Sequence, residues 1–344
     1  MKNVKTLTEK ETKTKRMDKQ VGTRKRKALI CAHGDGHGLI CAVLSKKVLE
    51  EEGFDTEILC GFKTGDVKNF WEKTIDNIRE NYEKVVIVDI PLHKDISLSL
   101  SKLKKLSEKV KEVWYIDHHP RSLLESPPIK NFYIVDNPGK CYYGFNKANK
   151  SMDKKFKLLV RLGQIADRDP SVTPNKEEKI VANGISYSLF SEKTSLDEII
   201  NKLEGIDSDD NWNFFKELGQ EFYDKYCSLD KVKCVKNVAV VNTSNVEFKL
   251  VWNILHRVID VFNIDYAIGV REFEHFTQIN IVRNPQRKLP SLKEVVPHIP
   301  YNVLIVGDGA ISYRIRGKSR KEILKEVEQL IERLNQITEN IGDG

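Results

Sequence analysis

The stretch Val113-Trp114-Tyr115-Ile116-Asp117-His118-His119-Pro120 decides how this chain is read, because a β-favouring run stops in an acid and two adjacent imidazoles. A strand alternates its side chains between two faces, so extending the apolar pattern cannot bury two consecutive histidines. The polar triplet belongs at a strand's end, and in an open α/β sheet the carboxyl edge is where ligands bind. For Asp117 alone a helix N-cap competes, since Asp and Pro are both common where a strand turns into a helix. The paired histidines weigh against capping as its sole role.

The flanking sequence repeats this plan. Lys27 to His33 is a short apolar run typical of a buried parallel strand, followed by Gly34-Asp35-Gly36-His37-Gly38 and a helical pattern from Leu39 to Leu49. The glycine spacing matches neither GxGxxG nor GxxxxGK[ST]. The turn instead carries His33, Asp35 and His37, alternate residues that point the same way on an extended segment and can converge as metal ligands. Thr56 to Cys60 reads as a strand, Val67 to Tyr82 as a helix, and Lys84 to Asp89 as a β-branched strand ending in a carboxylate. Leu98 to Val110 is a crossover helix, and Phe132 to Asp136 another strand ending in an acid. The alternation predicts a parallel sheet with right-handed crossovers. Its carboxyl edge collects His33, Asp35, His37, Asp89, Asp117, His118 and His119.

A helical run from Lys154 leads into Gly163-Gln-Ile-Ala-Asp167-Arg-Asp169, where Asp167 follows apolar residues closely enough to be a further ligand. Residues 176 to 235 read as amphipathic helices broken at Asp207-Ser-Asp-Asp210. Beyond Val235 come a strand at Val238 to Val241, a helix at Phe248 to Phe262, and a hairpin of Tyr266 to Val270 with Phe276 to Val282. Strands at Val303 to Val306 and Ser312 to Ile315 precede an amphipathic helix from Arg320 to Leu334. The fold class expected is α/β, an N-terminal parallel-sheet domain plus a smaller C-terminal α/β domain. The divisions expected are a basic arm at 1–27, a catalytic domain at 28–190, a helical linker at 191–235 and a substrate-binding domain at 236–344. Within the last, Arg283, Arg314, Gly307 and Gly309 are candidate substrate contacts, although salt-bridged strand ends explain the arginines equally well.

The formal net charge is +7, but residues 1 to 27 hold eleven Lys/Arg against three acids. Without them the chain has 46 basic and 47 acidic residues, so the charge is a property of the arm. That arm either binds phosphate backbones or simply solubilises. Six cysteines at 31, 41, 60, 141, 227 and 234 form no CxxC pair and lie in or beside apolar runs, as reduced core residues of a cytoplasmic protein would. No apolar run approaches the roughly 20 residues that span a bilayer, and the N-terminus lacks the apolar core of a signal peptide.

Carboxylates with several imidazoles favour Mn²⁺, Fe²⁺ or Zn²⁺, and so many ligands leave room for two ions sharing an Asp. Such a pair suits in-line displacement at phosphorus, which makes phosphoester hydrolysis the natural chemistry. These residues also resemble a family. Asp117-His118-His119 matches the signature of the DHH phosphoesterases. The other motifs come in the family's order: His33-Gly-Asp35-Gly-His37-Gly38 for HxDxDG, Asp89 at a strand end, and Gly163-Gln-Ile-Ala-Asp167 for GxxAD. The resemblance covers residues 28 to 170. The C-terminal part is similar to the family's DHHA1 domain by position and element order, and its GGxH signature is not legible.

The resemblance implies a two-Mn²⁺ site, with Mg²⁺ or Co²⁺ as substitutes. His33 and Asp35 would hold one ion, His37 and His118 the other, with Asp89 bridging and Asp167 completing the set. Asp117 and His119 would support them or contact substrate. One position departs from the pattern: His37 stands where the family has Asp, which removes a negative charge. Within the family the chain is similar to compact archaeal RecJ-like nucleases, some associated with a repair helicase. That implies a 3′→5′ exonuclease on single-stranded DNA or RNA in DNA repair, a helicase or replication protein as partner, and a homo-oligomer. Two alternatives remain open: a non-catalytic scaffold binding replication or repair proteins, and an oligoribonuclease or small-nucleotide phosphodiesterase.

Overall fold

In a computed structural model of the chain, the residues described are 26–62, 67–119, 128–134, 154–191, 194–226, 232–246, 250–294, 299, 301–306 and 309–342. The protein is α/β, built on a five-stranded parallel sheet and a six-stranded mixed sheet.

The first sheet contains β1 (Arg26–His33), β2 (Phe54–Phe62), β3 (Lys84–Val88), β4 (Glu112–Asp117) and β5 (Asn131–Ile134), in the order β2-β1-β3-β4-β5. All its pairings are parallel. Five consecutive residues of β3 are buried, as a strand covered on both faces requires. One face packs on α2 (Ile96–Lys109) and a helical segment at 67–77, around Phe70, Trp71, Ile87, Leu103 and Tyr115. The other is covered by α1 (Gly36–Glu51), α3 (Lys154–Ala166), α4 (Lys176–Ser188), α5 (Leu196–Glu204) and α6 (Asp209–Tyr226).

The helix expected over 67–82 is broken. It passes from α-helix through a π-helical turn at Phe70–Thr74 to a 3₁₀ turn ending at Asn77, and Ile78 is extended. Burial wins over regularity here: Phe70 and Trp71 are both fully buried, and the Trp71 indole donates to the Pro91 carbonyl at 2.8 Å.

The second sheet begins within the span expected to be helical, at β6 (Val232–Val235). It continues with β7 (Val238–Asn242), β8 (Tyr266–Glu272), β9 (Phe276–Arg283), β10 (Asn302–Val306) and β11 (Ala310–Arg316), in the order β10-β11-β9-β8-β7-β6. β7 and β8 are parallel, joined through α7 (Val251–Phe262), and β8 and β9 form the expected hairpin. The closing helix α8 runs from Arg320 to Gly342 and packs on Tyr266, Ile268, Ile279, Ile281 and Tyr313. The other face and α7 merge with the core beneath α1 and α4, so one apolar cluster spans both sheets.

Among the described cysteines, Cys31 and Cys41 are buried and free, as expected. Cys234 is exposed, which corrects its reading as a core residue: β6 is an edge strand with one side open. Among the described residues no helix is long and apolar enough to cross a membrane.

Candidate metal centre

Four chain segments leave the first sheet's carboxyl edge and α3 with their polar residues converging. β1 ends at His33, and Asp35 then caps α1, its Oδ1 accepting from the Gly38 amide at 2.9 Å. A β-carbon on Gly38 would lie 2.6 Å from the His33 carbonyl oxygen, so the turn is closed to any other residue. Asp35 Oδ2 lies 2.6 Å from His33 Nδ1. His33, Asp35 and His37 do converge, but not as alternate residues of one extended segment. His37 sits in the first turn of α1 and reaches the edge from a helix. The fixed helical start, not a strand's two-residue period, aims its ring.

Asp89, one residue past β3, adopts φ +62°. A left-handed non-glycine residue costs on the order of 1–3 kcal/mol and persists where surrounding structure holds it. Its amide donates to the Ile116 carbonyl at 2.9 Å. Its carboxylate is buried between two rings, Oδ2 at 3.2 Å from His37 Nδ1 and Oδ1 at 3.1 Å from His118 Nε2. Asp167 Oδ2 lies 3.9 Å and 3.5 Å from the same two nitrogens.

Asp117 is fully buried at the end of β4, accepting from the Tyr115 hydroxyl at 3.2 Å and pairing with His119 Nδ1 at 2.7 Å. Its carboxylate orients the His119 ring, and residues 120–127, where a helix capped by Asp117 would begin, lie outside the described residues. Asp169 is structural: its side chain accepts from the Ser171 amide and hydroxyl and from Gln164. Asp136 and Gly307 lie outside the described residues.

Three sets of ligand atoms lie within 4.8 Å of one another: His37, His118 and Asp167; Asp89, His118 and His119; and His33, Asp35 and Asp89. The sets share His118 and Asp89. His37 Nδ1 and His118 Nε2 are buried and have no hydrogen-bond partner, although each has a carboxylate oxygen close by. Buried nitrogens beside, but not bonded to, carboxylates fit a divalent cation, which takes lone pairs from both.

The charges agree. Burial opposes protonation of His33, but the Asp35 carboxylate, with Asp89 and Asp117 behind it, lifts it to about 9. Burial likewise opposes His118, which Asp167 and Asp89 lift to about 9, and His37 is raised well above its ordinary value mainly by Asp89. Burial pushes Asp89 upward, yet the His37 and His118 charges hold it well below the usual carboxylate range. Burial wins at Asp167, which is raised. Without a cation the cluster therefore balances its carboxylates with protons on imidazoles, and cation binding would release them.

The candidate substrate contacts lie elsewhere. The Arg283 guanidinium donates to the carbonyls of Leu289 and Pro290, and its amide donates to the Gly309 carbonyl, so it ties a loop to β9. Arg314 stacks over the Phe276 ring at 4.6 Å, its Nε buried without a partner. Both make these contacts within the second sheet. Sequence reading missed Cys41, one helical turn after His37, whose Sγ lies 3.3 Å from His37 Nε2. It also missed Asn183, whose Oδ1 accepts from Arg168 at 3.2 Å and Asn253 at 2.9 Å, bridging the turn after α3, α4 and α7. Only the i, i+4 spacing from His37 could have flagged the first, and nothing in the pattern flags the second.

The fold and the cluster define a two-sheet α/β protein with a histidine- and carboxylate-rich edge. Its sequence matches no protein-family model and no curated protein. Its structure is similar to PggH, a pGpG-specific phosphodiesterase from Vibrio cholerae, with a TM-score of 0.55 at 13% identity, covering 91% of this chain and 100% of that one. It is also similar to CDC45 from Entamoeba histolytica, with a TM-score of 0.50 at 8% identity over 88% and 94% of the two chains. RecJ with Mn²⁺ from Thermus thermophilus matches with a TM-score of 0.49 at 12% identity, over 85% of this chain and 50% of that one. The first two establish a shared fold.

Proposed function

We propose that the chain is a metal-dependent phosphodiesterase of the DHH type, acting as a RecJ-like exonuclease that releases mononucleotides 3′→5′ from single-stranded nucleic acid. The observation that carries it is the Asp89 carboxylate set between two buried imidazole nitrogens that hydrogen-bond to nothing. Two divalent cations, Mn²⁺ in the first place, would supply water activation and charge neutralisation at phosphorus. His33 and Asp35 would hold one, His37, His118 and Asp167 the other, with Asp89 shared between them.

The chain's own residues do the positioning. The N-cap bond to Gly38 fixes Asp35, and the left-handed backbone of Asp89 aims its carboxylate inward. Asp117 holds His119 by Nδ1, leaving Nε2 to face substrate or a departing oxygen. Arg314 and Gly309 remain proposed substrate contacts on the second sheet.

A second reading has its own support: the whole length of a pGpG-specific phosphodiesterase is covered by this chain. Hydrolysis of labelled single strands and of dinucleotides with Mn²⁺ separates the two. Progressive shortening of strands supports the exonuclease, and cleavage of dinucleotides alone supports the small-substrate enzyme. No hydrolysis of either, by a chain that retains no metal, would favour a scaffold and overturn the proposal.

A further inference from the structure

The position that departs from the DHH pattern, His37, has a neighbour of its own. Cys41 follows it by four residues on α1, the spacing that stacks two side chains on one helix face. Cys41 is buried, and its Sγ lies 3.3 Å from His37 Nε2. The opposite nitrogen, Nδ1, faces Asp89 Oδ2 at 3.2 Å and Asp167 Oδ2 at 3.9 Å. It is buried without a hydrogen-bond partner, in a residue 2% exposed. From the other side α3 approaches so closely that a β-carbon on Gly163 would lie 3.7 Å from His37 Cδ2. The ring is held at Nε2 and along its edge, with Nδ1 turned toward the two carboxylates.

A neutral imidazole carries one proton, and only the bare nitrogen can ligate a cation. Two arrangements fit the Cys41 distance. The thiol could donate to Nε2, which would put the ring proton on Nδ1. That proton would then point at no acceptor in line, since neither nearby carboxylate oxygen forms a hydrogen bond with Nδ1. A buried donor left so is costly, because it has given up water without gaining an acceptor. In the other arrangement the Nε2–H donates to Sγ, a weak acceptor, and the Nδ1 lone pair points into the carboxylate cluster. This one leaves no orphan once a cation is present.

We propose that Cys41 is a positioning residue: its Sγ accepts the Nε2–H of neutral His37, fixing the tautomer that turns Nδ1 into a metal ligand. The proposal rests on the metal-centre reading above. It also gives the substitution at position 37 a chemical meaning. A neutral nitrogen donor replaces a hard anionic oxygen, which disfavours Mg²⁺ relative to Mn²⁺, Co²⁺ or Zn²⁺ at this ion.

The test uses the full chain with ¹⁵N-labelled histidine, loaded with ¹¹³Cd²⁺, and His37→Gln to assign the signal. The expected result is a ¹¹³Cd coupling to His37 Nδ1 and a retained proton on Nε2. Coupling through Nε2, or none at His37 in a cadmium-loaded chain, overturns the proposal and leaves the other ligands standing. In Mn²⁺ titrations, Cys41→Val, similar in size and without an acceptor, should bind one ion about 10–100-fold more weakly. Cys41→Ser, which keeps an acceptor, should stay closer to wild type. Unchanged Mn²⁺ affinity in Cys41→Val overturns the proposal, while a wild-type chain that takes up neither ion overturns the metal-centre reading along with it. Should Cys41→Val fail to fold, the coupling measured on the wild-type chain still decides.

Discussion

Asp89 Oδ1 lies 3.1 Å from His118 Nε2, and that buried nitrogen has no hydrogen-bond partner. The imidazole and the carboxylate face one another closely enough to take one cation between them. Asp89 reaches the position through a left-handed backbone that most residues avoid. Replacing Asp89 with Ala should therefore remove the shared ligand, lowering hydrolysis by at least about 100-fold. Metal analysis of the purified variant should show fewer bound ions than wild type. Undiminished hydrolysis would mean that Asp89 bridges nothing.

Asp117 tests orientation separately from ligation. Its Oδ1 holds His119 Nδ1 at 2.7 Å from a fully buried position. Asp117→Asn keeps the shape but offers an amide where the ring needs an acceptor. Turnover should fall about 10–100-fold with the ion content retained, as when a partner that orients an imidazole is lost. Loss of the ions in this variant would make Asp117 part of the ligand set instead.

Divalent cations should stabilise the fold as well as activate it. The carboxylates and imidazoles crowd together at the sheet edge, and a ligand that binds only the folded state adds about 2.7 kcal/mol at one hundred times its Kd. Urea unfolding with Mn²⁺ and with EDTA should show that difference in midpoint. Equal midpoints at saturating Mn²⁺ would count against the site.

The packing of α4 against α6 gives a stability test remote from the chemistry. A β-carbon on Gly184 would be driven into the Phe215 carbonyl, and one on Gly219 into the Ile180 carbonyl. Either glycine replaced by Ala should cost about 3 kcal/mol or more, because backbone and not a flexible side chain must move. Gly53 is the contrast: φ is +85° but nothing lies within 4 Å, so Gly53→Ala should cost only about 1 kcal/mol. Chemical denaturation of the three variants ranks them.

His256 on α7 carries the pH prediction. Burial first, then the Arg168 and Lys179 charges, hold it well below its ordinary value of 6.5. Above pH 6.5 the ring is neutral folded or unfolded and contributes no pH dependence. Below it the unfolded ring takes a proton that the folded ring refuses, so stability falls as pH drops, by up to about 1.4 kcal/mol per pH unit. The loss stops only where the folded ring also protonates. His256→Gln should flatten this part of the stability profile, and an unchanged slope would assign it to other groups.

Much of this was legible in the sequence. The β-branched run before Asp89, the apolar run before His33 and the run before Asp117 each stop in polar residues. A parallel sheet must place such stops on one edge because its strands share a direction. That alone brings His33, Asp89, Asp117, His118 and His119 together, and helical periodicity supplied most of the remaining elements. What the sequence could not decide depends on three-dimensional contacts. The break after Asn77 follows from burying Phe70 and Trp71, which no local propensity encodes. Whether Arg283 faces substrate or its own loop is set by the carbonyls of Leu289 and Pro290, which the tertiary fold brings to it. The tertiary structure also decided the departing position: His37 enters from a helix, with Cys41 at one nitrogen and two carboxylates at the other. Residue spacing fixes which side chains share an edge or a face, but the direction of a ring nitrogen is set only by what packs around it.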